Sequence, residues 1–430
     1  MNYPVWYLPS IGGGTLIASI AVIHVFISHF AVGGGLWLVL LERHAWRHQD
    51  KVLYRFTHNF ARFFVFVTLV LGALTGVGIW FIISLVQPAG TSALIHRFVF
   101  IWAAEWVLFL VEIVAITVYL HSFDRLPARR HLTIGRIYCI ASWLSLFVIN
   151  GIITFMLTPG AAPANAGLAA SFFNPTFWPS LLFRTCLAGL LSGLFVMAAA
   201  VFMADRELGR RLIRICGVGS LLALCGMLPT GLWYVSSLPA PVRALVAGAS
   251  PTIVRTLAVG RWAALFLLAG FLLAIWRPAR TGKPLALAGL AAGLVLMGSF
   301  EWTREAARRP YVLHGRMYSN GQRVGRDTAE PFLANTPWSR RTPAGQQLFK
   351  FQCYACHTLG GVNNDMIKRI SGMDKTTLDA YISQLHAIRP FMPPFMGTVE
   401  ERQALADYLV ALKPPQPMPS ATLPPSGSLP

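Results

Sequence analysis

Residues 15–41 read TLIASIAVIHVFISHFAVGGGLWLVLL, an apolar run without a single Asp, Glu, Lys or Arg. A hydrocarbon core of about 30 Å is crossed by roughly 20 helical residues, so this run is long enough to span a bilayer. Seven further runs of the same kind follow, at about 62–86, 98–121, 134–157, 177–204, 212–236, 255–276 and 284–302. Over all 430 residues, 55% are hydrophobic and 12% charged, with mean hydropathy +0.56, which leaves too few charges to cover a water-facing surface. Composition therefore excludes a soluble enzyme and a disordered chain. It also excludes a β-barrel, whose alternating strands do not produce such runs. The expected fold is all-α, a polytopic bundle of about eight spans.

Basic residues report orientation. Arg43, Arg47, Lys51, Arg55 and Arg62 fall between the first two runs; Arg125, Arg129, Arg130 and Arg136 between the third and fourth. Arg206, Arg210, Arg211 and Arg214 follow the fifth, and Arg277, Arg280 and Lys283 the seventh. The alternate loops hold only Arg243. The positive-inside rule puts the basic loops in the cytoplasm and both chain ends outside. No Lys or Arg precedes Arg43, so a cleaved signal peptide with a basic start is not expected. The net charge of +19 is thus mostly topology, and nothing in it calls for a nucleic-acid partner; the lipid bilayer is the partner it implies. After Trp302 the chain turns polar, giving an external linker over 303–339, a small all-α domain over 340–413 and a Pro-rich tail over 414–430 that reads as disordered.

Cys353-Tyr354-Ala355-Cys356-His357 is the attachment motif for a c-type haem. Two thiols one helical turn apart reach the two vinyl groups, and the next residue offers an imidazole to the iron. One covalent haem c is therefore expected on Cys353 and Cys356 with His357 as axial ligand. The motif's external position is the bacterial periplasm, which makes the protein a multi-pass protein of the inner membrane. Downstream, Phe391-Met392-Pro393-Pro394-Phe395-Met396 offers a thioether on a proline-held loop. The segment 340–413 resembles class I cytochrome c, and by that resemblance Met392 is the second ligand, with Met396 and His386 as alternatives. His/Met ligation raises the potential, which suits exchange with a periplasmic cytochrome c or a similar redox partner.

Ionisable groups within spans are costly and are functional candidates by default. The first run has His24 and His29, and the third has Glu105 and Glu112, which share a helix face. Arg184 opens the fifth, Arg261 lies in the seventh, and Glu301 and Glu305 end the eighth. His29 reads as a hydrogen bond to a neighbouring helix. His44, His48, His58, His121 and His131 read as interfacial polar residues, and His96 is open between boundary residue and haem ligand.

Several stretches in order resemble subunit I of cytochrome bd-type quinol oxidases: Ile23-His24-Val25-Phe26 leading to Gly33-Gly34-Gly35; Thr57-His58-Asn59-Phe60 leading to Gly72-Ala73-Leu74-Thr75-Gly76; Glu105, Glu112 and Phe123-Asp124-Arg125-Leu126; Asn150-Gly151; and Glu305-Ala306-Ala307-Arg308-Arg309-Pro310-Tyr311. The resemblance implies one or two non-covalent b- or d-type haems in the bundle, with His24 and Glu305 as iron ligands and Arg308 at haem propionates. It gives Glu105 and Glu112 a part in proton delivery, and it implies a second membrane subunit. Two departures stand out. Arg184 occupies the place of a low-spin haem His, and Gly260-Arg261-Trp262-Ala263 offers no Met where the family has one. The low-spin haem that takes electrons from quinol is therefore expected to be missing, which leaves the quinone partner open. Arg184 and Arg261 are expected to bind haem propionates or to pair with Glu105 or Glu301.

Three functions follow. The first is a membrane haem oxidoreductase that passes electrons between the external c haem and buried haems and reduces O2 or a similar small gas. The second is an electron-transfer subunit between a quinone pool or partner complex and cytochromes c. The third is a haem-free anchor for the cytochrome domain.

Overall fold

The structure, a computed structural model, describes residues 5–160, 167–335 and 342–413. The proline-rich stretch 414–430 lies outside the described residues, as do residues 336–341, where the linker meets the cytochrome domain.

Among the described residues, eight helices are long and apolar enough to cross a membrane: α1 Gly13–Arg47, α2 Lys51–Val86, α3 Pro88–His121, α4 Ala128–Leu157, α5 Phe177–Ala200, α6 Arg206–Ser236, α7 Pro251–Trp276 and α8 Lys283–Arg308. Their starts are set locally. Asp50 caps α2 by accepting from the Leu53 amide at 2.9 Å, and Asp205 caps α6 through Leu208 at 3.0 Å. Pro88, Pro251 and Pro284 stand in the first turns of α3, α7 and α8, where the missing N–H costs nothing. The eighth helix runs to Arg308, so Glu305 and Arg308 belong to its last turn and not to a linker beginning at 303. The amphipathic last turn continues the helix past the apolar run that had marked its end.

The bundle is organised around α1. In lipid, helices approach closely where side chains are small, and the three consecutive glycines of α1 face three different neighbours. A Cβ on Gly33 would meet the Ala188 carbonyl of α5 at 2.0 Å, one on Gly34 the Phe64 ring of α2 at 2.4 Å, and one on Gly35 the Tyr138 ring of α4 at 2.4 Å. Helix α5 lies against α1, α6 and α8 and contributes Leu187, Leu190, Leu191 and Leu194 to the core. Within α2, Phe66–Gly72 is wound as a π-helix, a departure that often marks functional positions.

Beyond α8, β1 Tyr311–Leu313 and β2 Met317–Tyr318 form a short antiparallel hairpin. The cytochrome domain follows, with α9 Ala344–Leu348, α10 Lys375–Ser383 and α11 Val399–Ala411. Its own core contains Leu348, Phe349, Leu378, Ile382, Leu405 and Leu409. Thr398 and Glu401 make a capping box at the start of α11. The Glu401 carboxylate also accepts from the amides of Phe332 and Leu333 at 2.9 and 2.7 Å, tying the incoming chain to the domain.

Candidate haem sites and proton-bearing groups

In the cytochrome domain, α9 runs into a π-turn over Phe349–Cys353 and delivers Cys353, Cys356 and His357 to one cavity of 530 Å³, within the roughly 300–1,000 Å³ usual for cofactor sites. Burial pushes the Cys353 thiol up to about 12, and both cysteines are free. His357 is buried, and its Nδ1 donates to the Asn364 carbonyl at 2.9 Å. That bond leaves Nε2 as the coordinating nitrogen, the arrangement found behind metal-bound histidines. Burial also lowers the His357 pKa, keeping the ring in the neutral form a metal takes. Ile370, Leu378, Ile382, Leu405 and Leu409 supply apolar walls, and Arg309, Arg369 and Arg389 stand at the lining for propionates. The donor set and the slot fit a c-type haem.

The three alternatives for the second ligand occupy different surroundings. Met392 lines the cavity. Met396 is buried in the domain core, where its backbone accepts from and donates to the Gln352 amide at 2.5 and 2.9 Å. His386 donates from Nδ1 to the Met392 carbonyl at 2.6 Å, holding the loop that carries Met392.

The attachment motif rests directly on the end of α1. Tyr354 is buried and its hydroxyl accepts from the Leu8 amide at 3.0 Å; the Leu359 amide donates to the Pro9 carbonyl at 2.8 Å. A Cβ on Gly14 would lie 2.8 Å from the Ala355 carbonyl, and one on Gly361 would lie 1.9 Å from that of Ser10. Backbone thus meets backbone where the first span begins. His24 follows eleven residues after Gly13, about 16 Å along the axis. Its Nδ1 is 3.0 Å from Thr75 Oγ1, whose own proton goes to the Leu71 carbonyl at 2.7 Å. Nδ1–H therefore donates to Thr75, and the ring also meets the Gly72 backbone, so α2 orients the imidazole as an outer-shell partner orients an iron ligand.

His29, by contrast, is engaged on both nitrogens: Nδ1 donates to the Val25 carbonyl at 2.8 Å, and Nε2 faces Arg184 Nη1 at 3.5 Å. Arg184 is buried and pairs with Glu301 at 2.7 Å; Glu301 also takes Arg304 at 3.0 Å. Arg304 reaches Glu305 at 3.7 Å, and Glu305 is bonded to Arg308. A chain of alternating charge therefore crosses from α1 through α5 to the last two turns of α8. Arg184 Nε and Nη2 and Arg308 Nε are buried without a hydrogen-bond partner among the described residues, the orphaned donors a propionate would satisfy. Arg261 does not join: it is exposed on α7, about 15 Å from the helix start, with no ion pair among the described residues.

Glu105, Glu112 and Tyr119 recur every seven residues on α3, and His131, Tyr138 and Ser145 do so on the antiparallel α4, so both sets face the shared seam. Ser145 donates to Glu105 at 3.2 Å. Glu112 Oε1 is buried and has no hydrogen-bond partner among the described residues. At the basic-loop end, fully buried Glu42 accepts from the Tyr119 hydroxyl at 2.7 Å and from Trp46 at 3.1 Å, and lies 2.7 Å from His131 Nδ1. His131 Nε2 faces the Tyr119 carbonyl at 2.9 Å and must donate to it, so the His131–Glu42 contact holds one shared proton. His131 is accordingly a buried member of this cluster and not an interfacial residue. The cluster escaped the reading of α1 and α4 taken singly. The matching seven-residue spacings on α3 and α4 were the signal for it.

The family model for cytochrome bd terminal oxidase subunit I matches residues 15–239. The chain belongs to that family. A second family model, for cbb3-type cytochrome c oxidase subunit III, matches residues 340–409 and makes this segment a cytochrome c domain. Among solved structures, the bd oxidase from Geobacillus thermodenitrificans superposes with a TM-score of 0.63 at 15% identity, over 72% of this chain and 90% of that one; it shows the shared fold. A comparison with curated proteins finds no match. This bd-family chain is a multi-pass membrane protein of the haem electron-transfer class.

Proposed function

We propose that the protein is the haem-carrying subunit of a terminal oxidase of the bacterial inner membrane, accepting electrons from a periplasmic cytochrome c or similar donor and reducing O2 or a related small gas. The observation that carries this reading is the seating of the Cys353–His357 motif on the first turn of α1, the helix that bears His24 about 16 Å further on. In this reading Cys353 and Cys356 hold the covalent haem, with His357 and Met392 at its iron, and His24 serves a non-covalent haem in the bundle. Bound haem supplies one-electron transfer and, at an open iron position, affinity for a diatomic gas.

The chain's own residues do the rest. Glu305 has its carboxylate turned into Arg304 and Arg308, so we assign it to holding those arginines towards propionates and leave the bundle iron to His24. Glu42, His131 and Tyr119 hold protons at the basic-loop, cytoplasmic end, and Glu112 and Glu105 continue that polar seam towards the other face. Arg184, paired with Glu301, fills the place where the family's low-spin haem finds its His. Quinol oxidation by the family's route is therefore outside the proposal. A haem-free second membrane subunit completes the assembly.

The deciding experiment is a reduced-minus-oxidised spectrum of the purified protein with and without CO. A CO-shifted high-spin band besides the c-type band supports the oxidase. Bands of c-type and low-spin b haem alone would reassign the chain to electron transfer without terminal chemistry, and a c-type band alone would make the bundle an anchor.

A further inference from the structure

A second cavity, of 840 Å³, lies between the cytochrome domain and the adjoining end of the bundle. It shares Ser319, Asn320 and Ala355 with the haem-attachment cavity, so a single wall separates the two. Among the described residues, five basic side chains line it, Arg97, Arg316, Arg323, Arg326 and Lys350, and no Asp or Glu does. Arg97 Nε is pinned by Ser171 Oγ at 2.9 Å, Arg316 lies over the Phe155 ring at 5.6 Å, and Arg326 pairs with Glu330 at 3.5 Å. Lys350 sits over the rings of Tyr7 and Phe351 with no carboxylate in ion-pair range among the described residues, and burial lowers its pKa.

Like charges converging on one partly enclosed space focus a positive potential that favours an anion. The covalent haem does not need these groups for its propionates, since Arg309, Arg369 and Arg389 line its own cavity. Val86, Pro88, Phe155, Phe332 and Phe351 give the wall apolar stretches, between the neutral polar residues Gln87, Ser92, Ser319, Asn320 and Gln322. One more group faces the space: His96, whose Nδ1 donates to the Ser92 carbonyl at 2.8 Å. That bond leaves Nε2 free to coordinate, the same second-shell arrangement as at His357.

We infer that this cavity binds an anionic amphiphile, an apolar body carrying two or more carboxylate or phosphate oxygens, held by Arg97, Arg316, Arg323 and Lys350. Two sources offer that chemistry: a non-covalent haem, with its propionates on the arginines and His96 at its iron, or an anionic phospholipid from the adjoining leaflet. The oriented imidazole and the shared wall with the attachment cavity favour the haem. A haem here would stand between the covalent haem and the bundle, whether or not the protein reduces O2.

The test uses the full-length protein purified in mild detergent, with pyridine haemochromogen spectra for the ratio of non-covalent to covalent haem and mass spectrometry for retained phospholipid. The wild type is compared with His96→Ala, Arg316→Gln/Arg323→Gln and Arg323→Gln. Covalent haem content serves as the measure of folding in each. If the ligand is haem, His96→Ala loses one non-covalent haem per covalent haem and the double variant lowers its occupancy. If it is lipid, the double variant loses one retained phospholipid per chain while His96→Ala keeps it. Arg323 is exposed and its side chain makes no hydrogen bond or ion pair among the described residues, so Arg323→Gln is expected to fold as the wild type does and to weaken retention in either case. Haem and phospholipid content unchanged in Arg323→Gln and His96→Ala overturns the inference.

Discussion

Arg184 of α5 and Glu301 of α8 meet at 2.7 Å with both side chains almost wholly removed from solvent and lipid. Removing one partner of such a pair strands a buried charge, which costs about 3–5 kcal/mol, whereas replacing both with apolar residues is often close to neutral. Arg184→Leu and Glu301→Leu are each expected to lower the thermal midpoint of the detergent-solubilised protein sharply, and the double variant to regain most of the loss. A double variant as unstable as the worse single one would show that the arginine's other contacts, with His29 and the Phe300 ring, matter more than the pair.

The loop Phe391–Met396 separates ligation from packing. Met392→Ala is expected to keep the covalent haem but to lose the low-spin His/Met signature and lower the midpoint potential, since a weaker or exchanged sixth ligand stabilises the oxidised iron. Met396→Ala is expected to keep the signature and instead cost about 2–5 kcal/mol of domain stability, as large-to-small changes in a core do. The checks are the near-infrared absorbance of the oxidised protein, a redox titration and thermal melts. The opposite pattern would move the ligand to Met396.

The Glu42–His131–Tyr119 cluster gives a prediction about protons. Glu42→Gln removes the carboxylate that shares a proton with His131, and Tyr119→Phe removes the hydroxyl donated to it. In the proposed oxidase both are expected to slow gas-reduction turnover several-fold, with the deficit larger at alkaline pH, where protons from the bulk are scarce. Single-turnover reduction of the covalent haem by an external donor is expected to be unchanged, because that haem lies at the other end of α1. Turnover unaffected by Glu42→Gln across pH 6–9 would make the cluster a structural keystone between α1, α3 and α4.

How much of this was legible beforehand varied with the physics. The eight spans could be read because hydrocarbon imposes length and apolarity on each run, and only ends such as Arg308, where a polar turn continues the helix, were displaced. The haem attachment motif could be read because two thioether bonds fix its spacing. Partner choice was harder. That Arg184 finds Glu301 was one of the expected alternatives, but the exposure of Arg261 depends on which face α7 turns inwards, and one span's sequence does not state that. His131 read as a boundary residue and Glu42 was given no role, since proximity to the end of a run says nothing about whether a neighbouring helix covers a side chain.

The contact between the first and last helices of the cytochrome domain supplies a final prediction. At Gly345 of α9, an added Cβ would lie 2.2 Å from the Ala404 carbonyl and 2.4 Å from Tyr408 Cβ of α11. Real Cβ atoms do not approach backbone so closely, and the obstacle is main chain, so the helices must separate. Overpacking of this kind costs typically ~1–3 kcal/mol and more where backbone must shift. The separation would loosen the wall that Leu405 and Leu409 give the haem cavity. Gly345→Ala is therefore expected to reduce covalent haem per chain and to lower the domain's melting temperature, read by haem-staining gels and by the Soret band on heating. Gly372→Ala, at a position where an added Cβ meets nothing within 4 Å, is the matched control and should leave both unchanged. Equal haem content in the two variants would mean that the crossing of α9 and α11 tolerates a methyl group and does not position the haem wall.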